Sequence, residues 1–183
     1  MFNSFIKPVC KITKKIDNLG KIFQALQGLE RDDILVGIPQ EKNSRTDEAP
    51  NNAELGYVLA HGVQPEDKTA TALDGYLMER GDPLWQIPPR PFLEPAIKAN
   101  LDRIAAQQTK VIRAALAGEN EKARIEIVKL GMLGQNIIKA WFTDSRNNWA
   151  PNAPSTIARK KSDRPMIDTG ALRKSITYVV RAK

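Results

Sequence analysis

Apolar residues return every three or four positions from Phe5 through Val9, Ile12, Ile16, Leu19, Phe23 and Leu26 to Leu29. That spacing predicts an amphipathic helix over residues 3 to 30, with Lys11, Lys14, Lys15 and Lys21 on its polar side. Pro8 and Gly20 interrupt it, since a helix-interior proline loses a hydrogen bond and clashes with the turn before it. The pattern then changes: Asp33-Ile-Leu-Val-Gly-Ile-Pro39 reads as a short apolar strand closed by proline. Residues 40 to 51 are polar and aperiodic, as an exposed loop is. Asn52 is placed to cap a helix carrying Leu55, Val58 and Leu59 up to His61-Gly62, where glycine is the expected terminator.

Residues 64 to 86 read as an insertion, and Ile87-Pro-Pro-Arg-Pro-Phe-Leu-Glu-Pro95 as a stiff extended run leading into a helix that starts near Pro91 or Pro95. Leu93, Ile97, Leu101, Ile104, Gln108, Val111 and Ala115 then form one stripe at steps of three and four, ending at Gly118. A second long helix is expected from about Glu119 to Phe142, burying Ile127, Leu130, Gly134, Ile138 and Trp141. Gly131 and Gly134 each weaken it by about 1 kcal/mol relative to alanine, which another backbone approaching there would explain. The short break at Ala117-Gly118 makes the two helices antiparallel neighbours.

Beyond residue 142 the periodicity disappears. Pro151 and Pro154 hold the chain extended after Trp149, Ser155 is placed to cap one helical turn through Arg159, and Asp168 or Thr169 to cap a short helix at Gly170-Ala-Leu-Arg-Lys. Ile176, Tyr178 and Val180 alternate with Thr177, Val179 and Arg181 as a final strand, suited to pair with Ile34 to Ile38 and tie the two ends into one sheet. The expected class is α+β: a long N-terminal helix and an antiparallel pair of long helices packed on a small mixed sheet that includes the C-terminal strand. Residues 1–183 form one domain, with 1–31 as a helical arm and 143–183 as an extended basic segment plus strand.

A chain of 183 residues that is 42 % apolar has enough material for one folded core. No stretch approaches the 18 or so consecutive apolar residues of a membrane helix, and the first residues lack a secretory apolar region, so a soluble protein made in the cytoplasm is expected. Cys10, the one cysteine, rules out an internal disulfide and a cysteine-based zinc cluster. The net charge of +7 is unevenly spread. Residues 1–31 hold six Lys/Arg against two acids, residues 143–183 nine against three, and residues 32–142 thirteen against sixteen. Two basic ends around an acidic middle suit contact with nucleic acid, or the meeting of one copy's basic surface with another's acidic one.

Catalytic and cofactor motifs are missing. The chain has no Gly-rich phosphate loop, no Gly-x-Gly-x-x-Gly, no His-Glu-x-x-His and no Gly-x-Ser-x-Gly. His61 is the one histidine, and beside a helix end it reads as a surface or capping group. The triplet Asp168-Thr169-Gly170 matches the loop by which aspartic proteases present a carboxylate, but that chemistry needs two such aspartates sharing a proton, and no second copy exists here. Its expected role is a turn or cap. No catalytic, cofactor or metal residue is assigned. Arg159-Lys-Lys161, Arg164 and Arg173-Lys174 are suited to weak phosphate contact, without an aromatic ladder or helix-turn-helix that would read sequence.

Three blocks in this order resemble the tail-completion, or neck, proteins of long-tailed bacteriophages and the related virion-morphogenesis proteins. They are Ile87-Pro-Pro-Arg-Pro-Phe-Leu-Glu-Pro-Ala-Ile97, Trp149-Ala-Pro-Asn-Ala-Pro-Ser-Thr-Ile157 and Arg164-Pro-Met-Ile-Asp-Thr-Gly-Ala-Leu-Arg-Lys-Ser-Ile176. The resemblance implies a non-enzymatic virion protein, made in the host cytoplasm, that completes the tail and enables head-tail joining. Its implied partners are further copies of itself in a ring, six by the symmetry of tails, and the tail terminator, tail tube or head-tail connector. Non-specific contact with DNA in the channel is compatible with it. Composition and resemblance together nominate Trp149, Pro151, Asn152, Arg159, Lys160 and Arg164 for the interface, and Phe92 and Tyr178 as core anchors. The contrasting expectation, from charge alone, is a small basic DNA-binding protein of phage or prophage origin.

Overall fold

The computed structural model describes residues 20, 22–24, 27–28, 32–42, 51–62 and 87–182. The expected N-terminal helical arm lies largely outside the described residues, although positions 20, 22–24 and 27–28 are helical, and the expected insertion at 64–86 lies wholly outside them. The class is α+β. In chain order come strand β1 (Asp32–Gly37), a 3-10 turn (Gln40–Lys42), α1 (Asn52–His61), α2 (Leu93–Lys98), α3 (Leu101–Leu116), α4 (Asn120–Trp141), a second 3-10 turn (Ser145–Asn147), α5 (Pro154–Lys160), α6 (Ala171–Ser175) and strand β2 (Thr177–Ala182).

β1 and β2 pair antiparallel from Asp32 opposite Ala182 to Gly37 opposite Thr177, so the described sheet is purely antiparallel where a mixed one was expected. One face lies against α4. There Gly134 leaves room for Val36, whose Cγ2 would stand 3.1 Å from an added Cβ, and Gly131 accommodates the Tyr178 ring, which any Cβ would strike. The close approach expected at these two glycines is thus made by strand side chains, not by a second backbone. On the opposite face Leu35 and Val179, directly paired, are 44 % and 40 % exposed.

α3 and α4 form the expected antiparallel hairpin. Gly118, at φ +76°, closes α3: its N–H donates to Ala115 O and the next N–H, of Glu119, to Ala114 O. These are the paired bonds of a left-handed helix cap, a conformation open to glycine at little steric cost. Ala114, Ala115 and Ala123 bring the two helices close. Between them Gln107 Nε2 donates to Glu126 Oε2 at 2.6 Å and to Glu126 O at 3.2 Å, while Lys129 Nζ holds Oε1 at 2.6 Å. Lys129 foremost, then Gln107, keeps the Glu126 carboxyl below its ordinary range.

The single helix expected from residue 93 to 115 is two. Asn100 Nδ2 donates to Ala96 O at 2.9 Å, and Asn100 itself leaves the helical region at φ −129°, ψ 22°. A short amide side chain competing for backbone groups is a common reason for such a break. The stripe is kept at Ile104, Val111 and Ala115 but lost at its start, where Leu93 and Leu101 are exposed, and Gln107 rather than Gln108 is buried. Caps shift by small steps as well. Asn51, not Asn52, caps α1, exchanging bonds with Glu54 in a capping box, and Gly62 ends that helix as expected. α5 starts after Ala153 with Pro154 at its first turn, so Ser155 lies inside it. The N-cap of α6 is Gly170 at φ +77°, and not Asp168 or Thr169, though Thr169 Oγ1 accepts the Ala171 N–H at 3.3 Å.

The main core joins α2, α4, α6 and the start of β2: Phe92, Ala96, Ile137, Ile138, Trp141, Phe142, Leu172 and Ile176. Ile138 and Ile176 are fully buried, each contributing about 1.5–3 kcal/mol by leaving water. Phe92 is 2 % exposed and packs tilted on Phe142 at 5.3 Å, whereas Tyr178 is half-buried at the helix–sheet seam.

Candidate docking segment

After α4 the backbone stops satisfying itself. Thr143 and Asp144 N–H groups still reach back to Ala140 O and Trp141 O, and then Asp144 caps the 3-10 turn by accepting the Arg146 N–H at 2.9 Å. The Arg146 guanidinium grips the same carboxylate with Nε–Oδ1 at 3.0 Å and Nη2–Oδ2 at 2.6 Å. That side-chain pairing, followed by the backbone bond, holds the Asp144 pKa down to about 2. Arg146 Nη1 also donates to Ala99 O at 3.4 Å, tying this turn to the break between α2 and α3.

Asn147 carries the chain round. Its Nδ2 donates to Trp141 O at 3.0 Å and its Oδ1 accepts the Trp149 N–H at 3.1 Å, with Asn148 left-handed at φ 48°. Trp149 then lies with its ring edge to Phe142, centroids 5.6 Å apart at 89°, and its Nε1–H donates to Pro91 O at 3.0 Å. Its rings are therefore half-spent inside the protein.

The stretch that follows is fixed by a residue that sequence reading did not nominate. Arg90, 6 % exposed, donates from Nε to Ala150 O and from Nη2 to Pro151 O, both at 3.1 Å, while its own N–H donates to Leu59 O at the end of α1. Prolines at 89 and 91 hold that arginine on an extended backbone, and Gly62 lets the run pass: a Cβ there would meet Ile87 O and the Pro89 nitrogen. Burial lowers the Arg90 pKa, but a guanidinium remains charged. Among the described residues no carboxylate pairs with it. The one signal in the sequence was an arginine between two prolines, with partners 60 residues away.

Asn152 is buried, and its Nδ2 donates to Asp163 O at 3.1 Å, closing a loop over α5. Lys160 Nζ donates to Arg164 O at 3.0 Å. Its pKa is pulled down mainly by burial, with the Asp168 carboxylate opposing and Arg90 and Arg159 adding to the fall. Arg164 is exposed, its N–H donating to Ser162 Oγ. Of the six nominated residues, Trp149, Asn152 and Lys160 are at least half-buried with side chains bonded to their own chain, and Pro151, Arg159 and Arg164 are exposed, as are Lys161 and, at 37 %, Ile157. Asp168 is exposed at a turn rather than held in a cleft.

The result is an extended, proline-containing surface with a basic rim and one apolar residue on α5, locked from behind by Arg90, Asn147, Trp149 and Asn152. Among the described residues no three His, Cys, Asp or Glu side chains gather to hold a metal ion. No protein-family model, curated protein or solved structure matches this chain.

Proposed function

We propose that this protein is a structural component of a bacteriophage neck: a tail-completion protein whose copies close into a ring at the top of the tail and make it competent to join a filled head. One observation carries the reading. Of the three sequence blocks that resemble that family, 87–97 is remote in the chain from 149–157 and 164–176, yet it bonds the one and shares a core with the other. Arg90 of the first bonds Ala150 and Pro151 of the second, and Phe92 and Ala96 of the first share a core with Leu172 and Ile176 of the third. What the resemblance groups by sequence is what the fold uses to stiffen the docking segment.

The mechanism is mechanical. A pre-formed segment loses little conformational entropy when a neighbour covers it, so modest contacts suffice for association. In a closed ring every copy is held from two sides, and interfaces too weak alone add up to a stable joint. Pro151, Ile157, Arg159, Lys161 and Arg164 are the residues placed to make those contacts.

The test uses tails assembled in cells lacking this protein, mixed with filled heads and counted by electron microscopy as joined particles. Purified protein is expected to restore joining, and Arg159→Glu/Arg164→Glu to restore it at least tenfold less well at equal fold stability. Joining that does not rise on adding the wild-type chain would overturn the reading.

A further inference from the structure

Away from the docking segment, three cations from elements distant in sequence converge. Lys42 ends the 3-10 turn after β1, Lys139 lies in the last turn of α4, and Arg173 lies on α6. Core packing assembles them. Lys42 O accepts Asn52 Nδ2 at the start of α1, Gly56 of that helix lies 3.4 Å by its would-be Cβ from both Ile38 and Leu172, and Leu172 shares the core with Ile138 of α4.

Lys42 and Arg173 both stand close enough to act on Lys139. Lys139 is half-buried, and its pKa is lowered first by burial and then by the charges of Lys42 and Arg173. Among the described residues none of the three joins an ion pair, although Glu41 is the immediate neighbour of Lys42. Elsewhere Lys98, Lys122, Arg124, Lys129 and Arg146 each have a carboxylate. Like charges gathered without a counter-ion cost stability, and a bound anion offsets that cost.

The surroundings indicate which anion. Protein partners are held by buried apolar anchors, whereas nucleic-acid interfaces are polar and strongly positive. Among the described residues, neither the 3-10 turn, nor α6, nor α4 beyond Met132 exposes a large apolar side chain. We propose that Lys42, Lys139 and Arg173 form a binding patch for the phosphate backbone of nucleic acid, contacting it without reading sequence. The patch shares no residue with the docking segment and holds whether or not that segment builds a ring.

The experiment is fluorescence anisotropy of the full chain with a short mixed-sequence DNA duplex across a sodium chloride series. Lys42→Gln/Lys139→Gln/Arg173→Gln is compared with Lys98→Gln/Lys122→Gln/Arg124→Gln, which removes equal charge elsewhere. Each phosphate contact contributes about 0.9 to the log–log salt slope, so the patch variant is expected to lose about 2–3 of that slope and roughly tenfold or more in low-salt affinity, and the control much less. Equal loss in both variants, or no duplex binding by the wild type at low salt, overturns the proposal. So does polyglutamate of matched charge competing as well as duplex, which would assign the patch to an acidic protein, or inorganic phosphate displacing duplex beyond a chloride control of equal ionic strength, which would assign it to a small anion. Should the triple variant not fold by circular dichroism, Arg173→Gln alone is read the same way, with a slope change of about 0.9 expected.

Discussion

The α3–α4 hairpin and the segment from residue 143 to 170 solve the same problem by opposite means. In the hairpin, helical backbone satisfies its own N–H and C=O groups, so side chains are free to pack, and only Gln107 and Glu126 place a polar bond between the helices. In the segment, prolines remove donors and extended geometry leaves carbonyls without local partners. Side chains meet those carbonyls instead: Arg90, remote in the chain, on Ala150 and Pro151, and from within the segment Asn152 on Asp163 and Lys160 on Arg164, while Trp149 ties the segment to Pro91 O. A helix spreads its dependence over many equivalent bonds; the segment concentrates it in four or five residues. Shape without regular structure brings reliance on single side chains with it.

Arg90→Met breaks the comparison most sharply. It retains the buried stem but leaves Ala150 O and Pro151 O unpaired, and charged bonds of this kind are worth about 1.5–3 kcal/mol each, so a loss of about 3 kcal/mol is expected in urea denaturation. Native-state hydrogen exchange is expected to rise across residues 149–164 while α3 and α4 keep their protection; uniform loss in both regions would mean the brace is no local device. Arg90→Lys recovers less than half, since one ammonium does not span two carbonyls as a fork does.

Gly131→Ala probes the other side. Helix propensity favours alanine by about 1 kcal/mol, yet the Tyr178 ring occupies the space a Cβ needs, and overpacking costs about 1–3 kcal/mol. A net loss of about 1–2 kcal/mol follows, felt along α4 and the sheet and not at the segment. Combined with Tyr178→Ala, it is expected to show a favourable coupling, because the steric conflict is then gone.

The smallest effect comes from pH. The Asp144 carboxyl, held down to about 2 by Arg146, lies below the ordinary aspartate value of about 3.9. Its contribution is therefore complete above pH ~4 and lost as pH falls through about 2. Asp144→Asn is expected to flatten the fall in stability over that window and to leave the Arg90-dependent protection of residues 149–164 unchanged.

Legibility followed the same divide. Periodicity located both strands, the hairpin and its Gly118 cap, because burial of one face is written directly into spacing. It carried the helix through Ala99-Asn100, since apolar residues continue on both sides and the competing amide of Asn100 leaves no trace in a hydrophobic pattern. Within α3 the spacing held for Ile104, Val111 and Ala115, while Gln107 lies inside in place of Gln108, bonded to Glu126. In the segment, Trp149 and Asn152 were recognisable as singular but not as inward-facing, for nothing local distinguishes an aromatic or amide serving its own chain from one awaiting a neighbour. Arg90 was invisible because charge is read as surface, and its acceptors are backbone carbonyls that any residue supplies.

The antiparallel ladder, with Asp32 opposite Ala182 at one end, has a consequence for how the molecule bears load. Tension applied through residues 32 and 182 pulls on the first rung alone, so the strands peel apart one bond after another, like a zip; tension applied through residues 37 and 182, at opposite ends of the two strands, would have to shear several rungs together. The sheet is accordingly strong along one axis and yielding along the other.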